Sequence, residues 1–410
     1  MNYDETVDWL FNQLPVYQID GVFKYKVNLD PIVKLCKHLY NPHLNFHSIH
    51  VAGTNGKGSS SHMLSSILQE AGYKVGLYTS PHLRDFRERI KINGKLIDKK
   101  SVVDFVKNNF DFFSSNNISF FEMTVAMAFD YFSKSKVDIA VIETGLGGRL
   151  DSTNIINPLV SLITNVGLDH QEFLGDSLSK IANEKAGIIK KNVPVVVSEY
   201  NEETFKVFKE KSKSLNTTVH IPEKNRSYEI DLKGKFQNKN IAGVVKVISL
   251  LEKFDISHEN IETGLLNIKK NTGILGRFQF LSKSPVIICD VGHNVEAFNE
   301  ILKELEDIKF DRLRAVLGFV KGKNFEEVLK LFPKLTEFYF SSPNVSRALD
   351  LKEIKTYSKI NNLNSKFYSS VKEAYISAKK DQNINDLVFI GGSNFTVAEI
   401  LWFWCNFWNN

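Results

Sequence analysis

The run His50-Val51-Ala52-Gly53-Thr54-Asn55-Gly56-Lys57-Gly58-Ser59-Ser60 constrains this chain more than any other segment. An apolar stretch, Phe46 to Ala52, breaks into a glycine-rich turn, and a helical pattern follows from Ser60 to Ala71. Strand, glycine loop, lysine, hydroxyl and helix together describe a phosphate cradle. Glycines let successive backbone N–H groups turn inward, the helix N-terminus adds its positive dipole end, and the lysine supplies a point charge. The spacing is not that of the common G-x-x-x-x-G-K-[ST] loop: only Thr54 and Asn55 separate Gly53 from Gly56, and Gly58 follows the lysine.

At 410 residues, 43% apolar and 24% charged, the chain has material for two domains with a core in each. No apolar stretch nears the roughly 20 residues that span a bilayer, and the acidic start MNYDETVDWL is not expected to act as a signal peptide. Cys36, Cys289 and Cys405 stand singly, without metal-type spacing; a reducing cytoplasm and three small core residues are expected. The net charge of +5 is spread along the chain as a solvated surface. No basic cluster with interleaved aromatics points to nucleic acid.

Beyond the loop, short apolar runs alternate with helical patterns. Lys74–Tyr78, Val137–Glu143, Val160–Val166 and Val193–Ser198 read as strands, and Phe121–Ser133 as a helix. Strands buried on both faces and separated by helices predict a mainly parallel, doubly wound α/β sheet. The charged segment 201–239 reads as a β-poor elaboration leading to a helix over 240–253. A second series begins near Gly273, with strands at 285–289, 314–318, 337–340 and 387–390 and a helix over 295–305. Two domains are therefore expected, 1–272 and 273–410. The aromatic stretch Ala398–Trp408 reads as a core-facing final helix.

A doubly wound sheet places its ligand crevice at the carboxyl ends of its strands. Glu143 ends an apolar strand beside a glycine-rich turn, where a carboxylate suits Mg²⁺ or caps the next helix. Ser80 offers a hydroxyl at another strand end, in a Thr-Ser-Pro sequence that is also an ordinary turn. His170 lies just past a strand and reads equally as ligand or structural residue. Lys185, followed by Ala186 and Gly187, reads on its own as a helix C-terminal lysine interacting with the dipole. In the second half, Asp290-Val291-Gly292-His293-Asn294 follows a strand, Arg277 offers a fork suited to phosphate or carboxylate, and Asn240 begins the last helix of the first domain. Together these suggest a nucleotide held between two domains.

These residues, in this order, resemble the folylpolyglutamate synthase/dihydrofolate synthase branch of the Mur ligase superfamily, over nearly the whole chain. The resemblance is carried by HVAGTNGKGS (50–59), YTSPHL (78–83), ETGLGGRLDSTN (143–154), NVGLDH (165–170), EKAGIIK (184–190), GRFQ (276–279) and DVGHN (290–294). It implies a Mur-ligase-like fold and an ATP-dependent acid–amino-acid ligase working through an acyl phosphate, on dihydropteroate, reduced folates or both. It also implies that Gly53, Thr54, Asn55, Gly56, Lys57, Gly58 and Ser59 hold the triphosphate. Ser80 and Glu143 match ligands of one Mg²⁺ and His170 a ligand of a second. Lys185 matches a lysine that CO₂ converts to a carbamate (N6-carboxylysine), and Asn240, Arg277, Asp290 and His293 match contacts to ATP. Ser80, Pro81, His82, Phe121, Thr124 and Asp151 fall in segments that meet the pterin-bearing substrate. The chain departs from many relatives at Val291-Gly292, where Gly-Ala is common, and at Ile274-Leu275, where Trp-Pro often precedes the glycine. The family also implies a cytoplasmic monomer acting on small molecules. Two competing readings are a cell-wall ligase, against which TSPHL and the Asp151 segment argue, and a nucleotide-dependent switch without ligation chemistry.

Overall fold

The computed structural model describes residues 1–13, 28–223 and 227–407. The chain forms two compact units: 1–231 with 237–274, and 232–236 with 275–410. The short segment 232–236 thus belongs with the later part of the chain.

In the first unit the strands are β1 His47–Ala52, β2 Val75–Tyr78, β3 Ile90–Ile92, β4 Lys95–Leu96, β5 Ile139–Glu143, β6 Val160–Ile163, β7 Val195–Val197 and β8 Val219–His220. They form one sheet in the order β4-β3-β2-β5-β1-β6-β7-β8. Pairing is parallel from β2 through β8, and β2–β3 and β3–β4 are antiparallel. The central strands are apolar and buried because helices cover both faces, as a parallel sheet requires. Phe129, Phe132, Tyr78 and Met127 pack toward β2 and β5, and Ile163, Ile188, Val195 and Phe208 pack on the same face toward β6 and β7. β1 lies between β5 and β6, so the chain leaves it at a point where the strand order reverses.

The helix after β1 starts at Lys57, three residues ahead of the expected Ser60, and runs to Glu70. Its face is not amphipathic. Ser59, Ser60, Ser61, Ser65 and Ser66 are all buried along with Met63, Leu64 and Ile67. Small side chains let neighbours come close: Ser66 Oγ donates to Gly264 O at 2.6 Å.

The segment 201–239 is β-poor, as expected, but holds a helix that was not named, and the helix expected over 240–253 begins earlier. Glu202–Ser214 is a helix, capped by Asn201, with acids in its first turn and Lys211 and Lys213 in its last. It buries only Thr204, Phe208 and Ser212, a stripe at i, i+4 and i+8 that the surrounding charge obscures. The next helix starts at Gln237, so Asn240 sits one turn inside it and not at its beginning. Nor is it the unit's last, because His258–Leu266 and Ile268–Thr272 follow.

The second unit holds β9 Gln279–Lys283, β10 Val286–Cys289, β11 Leu313–Leu317, β12 Glu337–Ser341, β13 Ser365–Tyr368 and β14 Leu387–Gly391, in the order β13-β12-β11-β14-β10-β9. All pairs are parallel except β9–β10. β9 was not anticipated: it is an edge strand of half-buried residues with no apolar run. The core is aromatic, with Phe298 against both Phe332 and Phe389. The last helix, Asn394–Phe407, turns Val397, Ile400 and Leu401 inward and packs Phe403 edge-on to Tyr375. It is not core-facing throughout, since Trp402 is 56% exposed. Cys405 is exposed, which corrects the expectation of three core cysteines; Cys36 and Cys289 are buried. Trp408 lies outside the described residues. No helix among the described residues is long and apolar enough to cross a membrane.

Candidate active site

The turn after β1 is built against the segment that follows β6. Thr54 N donates to Asn165 O at 3.1 Å and Asn55 N to Asn165 Oδ1 at 2.8 Å. Thr164 Oγ1 donates to Asn55 O at 2.6 Å, and Gly167 N to Thr54 Oγ1 at 2.9 Å. A side chain on Gly53 would put its Cβ 1.8 Å from Thr164 Oγ1, so only glycine fits there. Gly56, with φ +82°, is the cap of the Lys57–Glu70 helix, and a Cβ there would lie 2.2 Å from Asn240 Oδ1. The helix start has neither a side-chain cap nor an acid in its first turn. Its N–H groups and dipole therefore favour an anion. Lys57 folds back over the turn, donating from Nζ to Gly53 O at 2.9 Å and Thr54 O at 3.1 Å. Gly58 and Ser59 fill the first helical turn. Asn240 is brought to this loop and held by Gln237, whose Oε1 accepts from its Nδ2 at 2.9 Å.

Glu143, 3% exposed, closes β5 next to the loop's own strand. Ser80 N donates to its Oε2 at 3.1 Å, so the fold joins the two residues expected to share a metal. Pro81 is exposed beside them. His82, half-buried, accepts from Arg89 Nε through Nδ1 at 2.8 Å. Burial and the Arg89 cation push its imidazole down to about 3, so it is neutral near pH 7. Arg89 escaped the sequence reading. It is buried and lies 5.2 Å over the Phe120 ring; burial lowers its pKa, against the pull of the neighbouring Tyr78 hydroxyl and Glu143 carboxylate. No local signal marked it: Arg89 ends the short helical turn Phe86–Arg89, and Arg89, Ile90 and Lys91 are all buried, without alternation.

The substrate-segment residues are placed as follows. Phe121 lies against Gly145, where a Cβ would come within 2.4 Å of its ring. Thr124 is buried and spends its hydroxyl on Phe120 O at 2.7 Å. Asp151 is buried too, with both oxygens engaged inside its own loop, by Gly145 N and Leu146 N on Oδ2 and by Thr153 on Oδ1. Burial raises its carboxyl, against the pull of these donors.

His170 has φ +50° and starts the short helix Gln171–Leu174; its N–H bonds to Asp169 Oδ1 at 2.9 Å. Lys185 lies in the last turn of the helix Leu178–Ala186, as expected, and is 2% exposed. The glycine-rich turn packs on that helix end, with Arg149 N donating to Glu184 O at 2.7 Å.

On the second unit Asp290 follows β10 and is buried. Its Oδ2 accepts from Phe278 N at 2.7 Å and its Oδ1 from Gly292 N at 2.6 Å. This gathers the Arg277 segment and the His293 turn around one carboxylate. Burial raises that carboxyl, while the Arg277 cation opposes the shift. His293 Nδ1 meets Val291 O at 3.2 Å, and Asn294 caps the Val295–Glu306 helix.

Hard oxygen donors at Glu143 and Ser80, beside an anion-binding loop, suit a divalent ion shared with phosphates. Thr144 Oγ1, next to Glu143, is buried without a partner among the described residues, a polar group left for something more at this edge.

Known proteins match both units. Residues 51–266 match the Mur ligase middle domain and 276–394 the Mur ligase glutamate ligase domain. The dihydrofolate synthase/folylpolyglutamate synthase of Buchnera aphidicola subsp. Schizaphis graminum is 31% identical over 92% of this chain and 93% of its own. A probable dihydrofolate synthetase of Schizosaccharomyces pombe is 36% identical over 74% of this chain and 78% of its own. A probable bifunctional folylpolyglutamate synthase/dihydropteroate synthase of Haloferax volcanii is 29% identical over 98% of this chain, which spans 51% of that longer protein. Among solved structures, E. coli FolC in complex with DHPP and ADP is 25% identical, with a TM-score of 0.84 over 97% of both chains. A bifunctional folylpolyglutamate synthase/dihydrofolate synthase with Mn, AMPPNP and L-glutamate bound is 26% identical, with a TM-score of 0.82 over 97% of both chains. With its glycine loop, its Glu143–Ser80 pair and its Mur ligase domains, the chain belongs to the folylpolyglutamate synthase/dihydrofolate synthase family, the ATP-dependent folate glutamate ligases of the Mur ligase superfamily.

Proposed function

We propose that this protein adds L-glutamate both to dihydropteroate and to reduced folates. The observation that carries the reading is the Glu143–Ser80 pair at the carboxyl end of β5, one strand from the loop that Lys57 crosses. The names of the Buchnera and Schizosaccharomyces relatives, both of which include dihydrofolate synthesis, support the dihydropteroate half.

The folate carboxylate attacks the γ-phosphorus of ATP, forming an acyl phosphate and expelling ADP. The amine of L-glutamate then adds to the acyl carbon, and the tetrahedral adduct collapses to an amide with loss of phosphate and a proton. Residues Gly53 to Ser59 bind the triphosphate, with Lys57 exchanging its backbone partners for phosphate oxygens. Glu143 and Ser80 would hold one Mg²⁺ and His170 a second, and such ions withdraw charge from the reacting phosphate. Lys185, 2% exposed, adds CO₂ through its neutral amine with loss of a proton, giving a carbamate that would serve as a further anionic ligand. Arg277, Asp290, His293 and Asn240 contribute to binding ATP. Pro81, His82, Phe121, Thr124 and Asp151 shape the pterin segment, Thr124 and Asp151 through the backbone they hold. The enzyme works as a cytoplasmic monomer on small molecules, in keeping with its three unbridged thiols.

The test is incubation of the full chain with ATP, Mg²⁺ and L-glutamate, adding dihydropteroate or tetrahydrofolate separately, with products read by mass. A glutamyl adduct on both is expected. An adduct on one alone removes half of the proposal, and none on either, from protein that binds ATP, overturns it.

A further inference from the structure

A chain of buried polar groups runs from β1 to the turn after β5. His50, with no exposed surface, meets Thr153 Oγ1 through Nε2 at 2.8 Å. Thr153 Oγ1 donates to Asp151 Oδ1 at 2.5 Å, and Thr153 N donates to the same oxygen at 3.0 Å. The hydroxyl has one proton and gives it to the carboxylate, so His50 Nε2 must carry the hydrogen that Oγ1 accepts. Its Nδ1 is then bare, and that buried atom meets no donor among the described residues. Asp151 Oδ2 accepts from Gly145 N and Leu146 N, each at 2.8 Å. The relay thus ends on the backbone two and three residues beyond Glu143. The turn it grips contains Gly145, Gly147 and Gly148, which lose more backbone freedom on ordering than any other residue type. Burial, and then the Lys190 cation, push His50 down to about 3, so the ring stays a neutral, one-way donor.

We infer that His50 and Thr153 are positioning residues that, through Asp151, hold the Gly145–Leu146 turn and thereby aim the Glu143 carboxylate at a divalent cation. This rests on Glu143 being a metal ligand, as proposed above. Outer partners of metal ligands act in this way, by fixing the orientation of the group that touches the ion.

The test is Mn²⁺ binding to the full chain in saturating AMPPNP, read by calorimetry or by the electron spin resonance of free Mn²⁺, with circular dichroism confirming the fold. Thr153→Val keeps the side-chain shape and removes the hydroxyl; its Mn²⁺ dissociation constant is expected to rise about 10-fold. Thr153→Ser restores the hydroxyl and should bind like the wild type. His50→Leu should weaken binding in the same direction, and the double variant no further than the worse single one, because a shared relay is broken only once. If Thr153→Val does not fold, Thr153→Ala is read in the same way. Wild-type affinity in Thr153→Val, or equal weakening in the Val and Ser variants, overturns the relay while Glu143→Ala still loses Mn²⁺. Equal Mn²⁺ binding by wild type and Glu143→Ala overturns the metal assignment and this inference with it.

Discussion

The two units treat buried charge in opposite ways. In the first, cationic groups are buried along the edge that carries Glu143 and in the loops around it. His50 and His82 are held neutral, and Lys91 and Lys190 are pushed down to about 8 by burial. Among the described residues the two lysines each donate to one backbone carbonyl, Thr272 O and Asn154 O. In the second unit the buried cation Arg314 is matched by carboxylates. It bonds Asp386 at 3.0 Å, Glu337, and Tyr339 Oη at 3.0 Å, near the starts of β11, β12 and β14. That is the sheet edge opposite to Asp290. A matched buried pair stabilises a fold only while both partners remain, whereas unmatched polar groups cost stability and are kept where chemistry needs them.

The widest gap between the units should appear in activity. Glu143→Ala should cut ligation by about 10³-fold with the fold retained, as expected when an electrostatic element of the reacting centre is lost. Near-normal turnover by a folded variant would remove Glu143 from the metal site. Arg314→Met should do the reverse, lowering unfolding free energy by about 3 kcal/mol through the stranded Asp386 while the folded fraction keeps its kcat. Denaturant titration alongside rates decides this, and a lost kcat would erase the contrast. Lys185→Ala should lose activity by about 10²-fold and recover partly with short carboxylic acids, which replace the carbamate. Full activity without added acid would make this lysine structural.

The smallest effect is a pH dependence. The His50 pKa is lower in the folded than in the unfolded chain, so its contribution is complete above about pH 6.5 and is lost as pH falls toward 3. Over the first pH unit below 6.5 the wild type should lose about 1 kcal/mol more than His50→Gln does. Equal losses in calorimetric scans at both pH values would remove His50 from the account.

Most inner strands of both sheets were legible because their residues are apolar with little interruption, as at Ile139–Ile142 and Val286–Cys289. The Glu202–Ser214 helix was not, since one narrow stripe among lysines and glutamates carries little periodic signal. β3, β4, β8, β9 and β13 were missed because they are short or carry half-buried residues that read as loop. Within the site, residues announced by a glycine or a strand end, such as Lys57, Glu143 and Asp290, could be named in advance. Arg89, His50 and Thr153 could not, because no local pattern marks a polar side chain whose partners lie in other segments.

What the sequence determined by itself was therefore local and periodic: the parallel α/β class, the phosphate loop, the family motifs and the residue types at the strand ends. What only tertiary structure decided was which polar groups are buried and which donor meets which acceptor. Such facts include Ser80 N on Glu143, Asn240 set against Gly56, and Lys185 2% exposed at a helix end. The physical reason is that hydrogen bonding and desolvation depend on distances of a few ångströms between residues far apart in the chain, and one-dimensional spacing does not encode those distances.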